Sequence, residues 1–335
     1  MATENLTEFD IDKDDDPSQI ESKILCIGEA LIDMICTDKG KSLSAGNNFL
    51  KKPGGAPTNV AAAIAALGGK VELAAKVGND PFGKQLIEVM QDFGVSTKWM
   101  LQDEHFFTTF AFVSLMEDGE RDFVFNRGAD GELSRAEIEA INIEEFSIVH
   151  FGSATAFLPG PLQAAYQGML QKALQKDIFI SFDPNYRQLL IKNKPAFIDQ
   201  SWNFLESCSF FKVSDEEAMI ITGAATLNDA VKILLVKTNA IFTITLGKEG
   251  TMLGIKDETV IIPSIHVNAV DATGAGDAFV GAVLYQLSTL QEDLNSITLE
   301  NWKNIISNAN KAGARTCEYM GAMEAFKHLS NEIFS

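Results

Sequence analysis

Short apolar runs that end in polar or glycine-rich loops alternate with helical segments along most of this chain. A first strand is predicted at Ile24 to Gly28, and later runs follow the same pattern: "FSIVHFGS", "DIFISFDPN", "FFKVSDEEAM" and "AIFTITLGKEG". Such runs are typical of strands that are buried on both faces of a parallel sheet. The alternation of strands and helices therefore predicts an α/β fold with a central, mostly parallel sheet flanked by helices.

The carboxyl ends of the apolar runs carry polar side chains. Open α/β sheets bind their ligands at this edge. No internal repeat or interdomain linker divides the chain, so we expect a single site in a single domain. The residues at these strand ends are Asp33, Ser153, Asp183, Asn185 and Ser214, together with Gly247.

A second, smaller sheet is predicted from two β-rich runs, His105 to Met116 and Arg121 to Asn126. The pair Asp118-Gly119 between them is typical of a hairpin turn. A segment near 37–52 is poor in apolar residues and is expected to pair with this hairpin. Together these lid segments, near 37–52 and 105–128, should form a sheet that stands apart from the main one.

Charge and composition exclude several classes of partner. The formal net charge is -19, which repels nucleic acid and anionic membranes, and no basic patch offsets it. No apolar run reaches about 18 residues, so no membrane span is expected. The four cysteines lack disulfide or zinc spacing, which favours a reducing, cytoplasmic location. Residues 1–20 are predicted to form a disordered acidic tail, which leaves residues 21–335 as the folded domain.

Several well-known catalytic motifs are absent. A P-loop needs a glycine five residues before Gly40-Lys41-Ser42, where this chain has Ile35. The dinucleotide pattern GxGxxG fails because Phe279 stands at the third glycine position after Gly274 and Gly276. The patterns GxSxG and HExxH do not occur, so the sequence lacks the catalytic motifs of these serine hydrolases and zinc proteases.

The stretch "DATGAGDAFVGA" is the best candidate for phosphate chemistry. Gly274, Ala275 and Gly276 lack bulk, and a helix is predicted from about Asp277 through Leu287. Free amides and the positive end of the helix dipole would form an anion site there. Two interpretations of Asp277 stay open on this pattern alone. It either caps the helix or accepts a proton from an alcohol that attacks a phosphoryl group.

Two long motifs resemble the same family. The segment "DATGAGDAFVGA" is similar to the C-terminal signature of the ribokinase-like sugar kinases, also called the PfkB family. The segment "PGGAPTNVAAAIAALGGKVELAAKVGNDPFG" is similar to their N-terminal signature. The resemblance runs from about Ile24 to the C-terminus. It implies a ribokinase-like fold with a small β-sheet lid over the sugar, and an ATP-dependent sugar kinase activity.

The resemblance also implies roles for single residues. Asp277 would be the catalytic base, and Gly274, Ala275 and Gly276 would form the anion hole. The residues that would bind the sugar are Asp33, Gly54, Gly55, Asn59 and Arg187. The residues that would bind the nucleotide are Asn185 near the phosphates, Thr245, Gly247 and Gly250 in one loop, and Asn310 beside the adenine.

Metal ions follow from the same likeness. The "SDEE" segment resembles the family's NxxE motif with Ser214 in place of the asparagine, and Glu217 would reach Mg²⁺ through water. Asp271 and the backbone of Thr273 match positions that bind a monovalent cation, K⁺. The implied ligands are therefore a sugar, ATP, Mg²⁺ and K⁺.

Departures from the ribokinase pattern point to one branch of the family. Ala56 in "GGAPTN" replaces a lysine, and "DPNYR" and "KVSDEE" resemble the fructokinase branch, which implies that fructose is converted to fructose 6-phosphate. A 2-keto-3-deoxygluconate kinase, a non-catalytic binding protein of the same fold and a homodimer through the lid also stay open. A nucleoside kinase is a further alternative, supported by aromatic residues on the lid: Phe106, Phe107, Phe110 and Phe112.

Overall fold

A computed structural model describes residues 22–116, 121–291, 293–294 and 296–334. The predicted acidic tail, residues 1–20, and the predicted Asp118-Gly119 turn lie outside these residues. The strands and helices below are numbered in chain order.

The strands fall into two sheets. In the described residues, nine strands form the main sheet in the order β13-β12-β11-β10-β9-β8-β1-β4-β5, and four form a second sheet in the order β3-β2-β6-β7. The strands are β1 (Lys23–Ile27), β2 (Leu31–Cys36), β3 (Phe49–Gly54), β4 (Lys70–Gly78), β5 (Met100–Asp103), β6 (Thr109–Leu115), β7 (Arg121–Asn126), β8 (Ile148–Phe151), β9 (Phe179–Phe182), β10 (Phe210–Ser214), β11 (Ile241–Thr245), β12 (Thr251–Ile255) and β13 (Glu258–Ile262).

Helices cover both faces of the main sheet. The helices are α1 (Ala56–Ala66), α2 (Pro81–Asp92), α3 (Arg135–Glu139), α4 (Pro161–Gln175), α5 (Lys194–Leu205), α6 (Asp215–Thr222), α7 (Leu227–Lys237), α8 (Ala275–Thr289), α9 (Leu299–Thr316) and α10 (Ala322–Phe326). One apolar core lies under α1, α8 and α9, and the other lies under α4, α5 and α7.

The main sheet is parallel from β5 to β11, and only β12 and β13 run antiparallel within its described strands. The central strand β8 is buried at every position, as expected for a strand with helices on both sides. The predicted fold class, a mostly parallel sheet flanked by helices with a small lid sheet, is confirmed. In the described part of the chain no single helix is long and apolar enough to cross a membrane, and one bent pair, α6 with α7, reaches that threshold only jointly.

Local sequence signals explain where key helices begin. Helix α6 starts with a capping box, in which the Ser214 hydroxyl accepts from the Glu217 amide and the Glu217 carboxylate accepts from the Ser214 amide. Helix α2 begins after Asp80, whose carboxylate accepts from two first-turn amides. Helix α8 begins after Gly274, which has a φ of 82°. A side chain at this position would be strained, so glycine fixes the direction in which α8 leaves its loop.

The lid sheet differs in part from the sequence-based expectation. Strands β6 and β7 pair as the predicted hairpin. Of the third predicted segment, residues 49–52 lie in β3 of the lid sheet, and residues 37–48 form a connection with one isolated bridge, from Gly40 to Met116. The strand β3 pairs with β2, and β2 pairs with the hairpin strand β6. Asp33 therefore lies within β2 of the lid and not at the end of a main-sheet strand. The sequence obscures this because β1 and β2 are separated by only three residues and read as one apolar run.

The chain crosses between the lid and the main domain four times, all at the same end of the lid sheet. The register pairs Leu31 with Gly54 and with Thr109. Hydrogen bonds hold these crossings in place. Before β6, the Thr108 amide and hydroxyl both donate to Asp80 at 2.8 Å. The Gly128 amide donates to the Thr109 hydroxyl at 2.8 Å, and that hydroxyl donates to the buried Asp130.

Candidate active site

The amino end of α8 lies at the carboxyl edge of the main sheet, beside the lid. Its first turn follows the loop "DATGAG" and presents amides that have no acceptor within the described residues, those of Gly276 and Asp277. The Ala275 amide donates to Ala272 O at 3.2 Å, so it contributes less to an anion site than its neighbours. Unpaired amides at a helix amino end favour bound anions such as phosphate.

Asp277 stands in this first turn and is held by a residue from another helix. Asn59 Nδ2 of α1 donates to Asp277 Oδ2 at 2.8 Å. Burial raises the pKa of Asp277 to about 6, while the Asn59 hydrogen bond and the positive charge of Arg187 lower it in part. Asp277 stays half-buried and open to the cleft. A carboxylate with a pKa in this range can accept a proton near neutral pH.

Arg187 lies near both Asp33 and Asp277. Burial raises the pKa of Asp33 to about 6, and the charges of Arg187 and Lys52 oppose this rise. The same guanidinium lowers the pKa of Asp277, so Arg187 is near both carboxylates. Arg187 Nη2 donates to Asn185 Oδ1 at 3.2 Å. The structure thus brings four sequence-predicted residues to one cleft: Asp33, Asn59, Arg187 and Asp277.

Gly54 and Gly55 are close-contact positions. A Cβ at Gly54 would lie 2.1 Å from Asp33 Oδ2, and one at Gly55 would lie 2.4 Å from Glu29 O. Gly55 also has a φ of 107°. The close approach predicted for this pair is seen here between protein groups, and approach to a sugar stays a prediction.

Sequence reasoning missed Glu29, which is 1% exposed. Its Oε1 accepts from the Ala56 amide at 3.1 Å and from the Ala154 amide at 3.3 Å, and its Oε2 accepts from the Ser153 hydroxyl. Burial raises the pKa of Glu29 to about 7. Glu29 therefore anchors the start of α1, the helix that carries Asn59. The available signal was an acid between two apolar runs, in "IGEALI".

Lys212 was also not predicted from the sequence, although the segment "FFKVSDEEAM" that contains it was predicted to form a strand. This lysine lies in β10 and is 7% exposed, and its Nζ lies 3.0 Å from Asp183 Oδ2. The available signal was a charged residue inside the apolar run "FFKVS", because buried charges require a partner.

The residues predicted to bind the nucleotide fall into two groups: those at the carboxyl edge of the main sheet, and Asn310, which is already hydrogen-bonded within the protein. Thr245 is the last residue of β11, and Gly247 and Gly250 follow it at the same sheet edge. Both glycines have positive φ, 58° and 108°. Asn185 is buried there and has a φ of 44°, which asparagine tolerates better than most residues. Asn310 is engaged within the protein: it accepts from Thr251 at 2.6 Å and donates to Ile262 O at 3.0 Å. Its contact with adenine stays a prediction.

The carboxylates near the phosphate site already have protein partners. Glu217 Oε1 accepts from the Tyr186 amide and Oε2 from the Ser214 amide, each at 2.7 Å. Within the described residues no three His, Cys, Asp or Glu side chains are grouped to hold a metal ion. Asp271 Oδ1 accepts from Thr273, and its Oδ2 accepts from the Gly321 amide at 2.8 Å. This donor set fits Mg²⁺ that arrives on nucleotide phosphates and keeps its waters.

The chain is similar to known proteins along most of its length. The family model described as "pfkB family carbohydrate kinase" matches residues 21–328. The chain is 35% identical over 309 residues to "Probable fructokinase-2" of Arabidopsis thaliana, covering 90% of this chain and 92% of that protein.

Two solved structures resemble the fold closely. A fructokinase variant from Vibrio cholerae O395 in fructose, ADP and potassium ion bound form has a TM-score of 0.80 and 26% identity, covering 94% of this chain and 97% of that one. A fructokinase from Xylella fastidiosa with bound ATP has a TM-score of 0.82 and 27% identity, with the same coverage of 94% and 97%. These relatives match the whole described domain rather than one motif.

Proposed function

The chain belongs to the pfkB family of carbohydrate kinases, and from this premise we propose that it transfers the γ-phosphoryl group of ATP to fructose, giving fructose 6-phosphate. The observation that carries the proposal is the position of Asp277. It stands in the first turn of α8 beside unpaired amides, bonds to Asn59 and shares its cleft with Asp33 and Arg187. One point of the cleft can therefore accept a proton and hold a phosphoryl group.

The reaction follows from these positions. Asp33 of the lid and Asn59 of α1 orient the sugar so that one hydroxyl meets Asp277. Asp277 takes the hydroxyl proton while the oxygen attacks the γ-phosphorus and ADP leaves. The amides at the start of α8 stabilise the charge on the transferred group. Mg²⁺, held by the phosphates and reached by Glu217 through water, would neutralise phosphate charge. Closure of the lid excludes water, which would otherwise compete as the acceptor.

Fructose is proposed over other sugars because fructokinases are among the curated relatives and among the solved structures. The register of the lid strands removes part of the support for the nucleoside alternative, but it places a different aromatic residue, Phe125, on the sugar-facing side. Asp33 pairs with Ala111, and Ala111 with Phe125, so these residues share the sugar-facing side. Phe110 is on the other side, where it packs edge-on against Phe82 of α2 at 4.9 Å between ring centroids.

Phe112 is on the same outer side as Phe110 and contacts Phe49. Neither ring is placed to stack on a base bound at Asp33. Phe106 and Phe107 are 46% and 72% exposed and lie before β6, outside the lid sheet. The aromatic residues that motivated the nucleoside alternative therefore do not line the sugar-facing side.

Three further parts of the proposal concern ions, assembly and location. K⁺ is proposed at Asp271 and the Thr273 backbone, in line with the potassium ion named for the Vibrio cholerae relative. A homodimer through the lid is proposed because an exposed apolar residue, Val124 at 52%, lies on the same side of the lid as Phe112. A cytoplasmic location is proposed because the described cysteines are all free.

A substrate panel tests the proposal. ADP release is measured with fructose, tagatose, ribose, 2-keto-3-deoxygluconate and adenosine, each with MgATP and with or without K⁺. We expect the highest kcat/KM with fructose and a product that phosphoglucose isomerase and glucose 6-phosphate dehydrogenase consume. If another sugar were phosphorylated and fructose were not, the assignment of fructose as the substrate would be wrong, but the proposed phosphoryl transfer would not be affected. No turnover with any acceptor would favour the non-catalytic alternative.

A further inference from the structure

Lys212 lies in the middle of β10, directly beneath the amino end of α8. Only 7% of its surface is exposed, and its Nζ donates to Asp183 Oδ2 at 3.0 Å. A Cβ built on Gly276 would come within 3.4 Å of Nζ. The absence of a side chain at Gly276 thus leaves the ammonium next to the unpaired amides of the first helical turn.

The hydrogen bonds of Lys212 are incomplete. An ammonium group has three donors, and Asp183 is the one acceptor of Nζ among the residues that the structure describes. Two donors on a buried cation therefore have no protein partner there. Unused donors at a buried position need a partner, which can be water or a ligand. Gly276 lies beside this ammonium group, and the amides of Gly276 and Asp277 also lack acceptors in the part of the chain that the structure describes.

The surrounding charges keep Lys212 protonated. Burial acts to lower the pKa of Lys212, but the carboxylates of Asp183, Glu217 and Asp277 outweigh it and hold this pKa above its usual value. Glu217 and Asp183 accept backbone amides as well, so their positions are fixed. A positive charge is thus held in place beside Gly276, where it interacts electrostatically with the proposed base, Asp277.

We propose that Lys212 is a catalytic residue that binds an oxygen of the transferred phosphoryl group together with the amides of α8. This inference rests on the phosphoryl transfer proposed above and does not depend on which sugar accepts the group. Charge on the equatorial oxygens is what a kinase must stabilise during transfer.

The phosphoryl transfer balances without any change in the protonation of Lys212. A bond forms between the sugar oxygen and the γ-phosphorus, and the bond from phosphorus to the bridging β–γ oxygen breaks, with its electron pair leaving on ADP. The sugar proton passes to Asp277. Lys212 keeps its three protons throughout and donates hydrogen bonds to the moving group.

A purely structural role would make Lys212 the counter-charge of Asp183 and nothing more. The geometry argues against this, because one carboxylate oxygen satisfies one donor and the rest of the ammonium faces Gly276. The two roles predict different behaviour when both charges are removed together. A structural pair becomes dispensable when both members are neutral, whereas a catalytic lysine remains missing.

Two variants test the inference: Lys212→Met, and the double variant Lys212→Met with Asp183→Asn, which leaves no buried unpaired carboxylate. For each, kcat is measured with the best sugar, ADP affinity by calorimetry, and binding of ADP with Mg²⁺, sugar and aluminium fluoride, which mimics the group in transfer. We expect the double variant to fold, to bind ADP within about threefold of wild type, and to lose about 100-fold in kcat and in aluminium fluoride binding.

Recovery of kcat to within about threefold of wild type in the folded double variant would overturn the inference. Lys76→Met is the matched control, because Lys76 is a similarly buried lysine that pairs with Asp103 and Glu137 at 2.9 Å. It lies in β4, four strands from β10 and so about 19 Å away, and its loss should lower Tm and spare kcat. If wild type turns over no acceptor, the proposed function fails by itself and is distinguished from a failure at Lys212.

Discussion

Asn59 Nδ2 lies 2.8 Å from Asp277 Oδ2, which joins the first turns of α1 and α8 across 218 residues of sequence. The other amide atom, Asn59 Oδ1, is buried and has no hydrogen-bond partner among the described residues. One side chain thus orients the base and keeps an acceptor free for a hydroxyl. The proposed base, Asp277, and the proposed sugar-binding residue, Asn59, are therefore parts of one hydrogen-bonded unit.

Replacing Asp277 by Asn should remove proton acceptance and leave the shape of the cleft unchanged. We expect kcat to fall by about 10² to 10⁴, the range for loss of a general base, with ADP affinity within a few-fold of wild type. Steady-state kinetics and calorimetry measure the two quantities. Unchanged turnover in a correctly folded variant would rule out Asp277 as the base.

The activity should depend on the ionisation of Asp277. Since its pKa is raised to about 6 and a base must be ionised, kcat/KM should fall as pH decreases through about 6. The Asn59 hydrogen bond favours the ionised form, so Asn59→Ala should move the acidic limb to higher pH by about one unit.

The control for this experiment is Asp33→Asn, because burial raises the pKa of Asp33 to about 6 as well. The limb should persist in Asp33→Asn if Asp277 produces it. A limb that disappears in this variant would assign the titration to the sugar ligand.

Two glycines in the α8 loop make a matched pair. A Cβ at Gly274 would lie 2.4 Å from the Ala322 Cβ, at a φ of 82°, so Gly274→Ala should destabilise the fold by about 1 to 3 kcal/mol. A Cβ at Gly276 meets nothing nearer than Lys212 Nζ at 3.4 Å. Gly276→Ala should keep a Tm near wild type and lose kcat, because its methyl group occupies the phosphoryl position.

Thermal unfolding and steady-state kinetics on the two glycine variants separate these effects. If Gly276→Ala retained full kcat, the anion site could not lie at the first turn of α8.

Glu29 should make stability depend on pH. Burial raises its pKa from 4.5 to about 7, so the folded state binds a proton more tightly than the unfolded state, and stability falls as pH rises from about 4.5 to 7. Glu29→Gln removes this titration and keeps an acceptor for the Ala56 amide. Its stability relative to wild type should rise between pH 5 and pH 8 by on the order of 2 kcal/mol, measured as unfolding free energy. A difference that did not vary with pH would contradict the shift.

Much of the architecture and part of the site could be predicted from sequence. Apolar runs with polar ends indicate the parallel strands, and Asp183, Asn185 and Ser214 follow strands β9 and β10 at the predicted edge. The start of α8 was expected at about Asp277 and lies at Ala275, because small residues ahead of an apolar helix mark such a turn. These signals are formed by residues that are close together in the chain, so they can be recognised from the sequence alone.

The parts that sequence did not provide depend on pairing over long distances. Lys212 reads as an isolated charge in a strand until β9 brings Asp183 beside it. Asp33 belongs to the lid because β2 pairs with β3 and β6, which no pattern within "IGEALIDMI" reveals. Asn310 is engaged by Thr251 and Ile262, 59 and 48 residues away. Register and partner choice decide these roles.

The four crossings at one end of the lid sheet have a mechanical consequence. Because all four chain connections lie at one edge of the lid sheet, the sheet can rotate about that edge but resists sliding and twisting relative to the main domain. We therefore expect the lid to open mainly by rotation about that edge, which would change the separation of Asp33 from Asp277. A pair of spectroscopic labels, one on β2 and one near the start of α8, would read the whole movement.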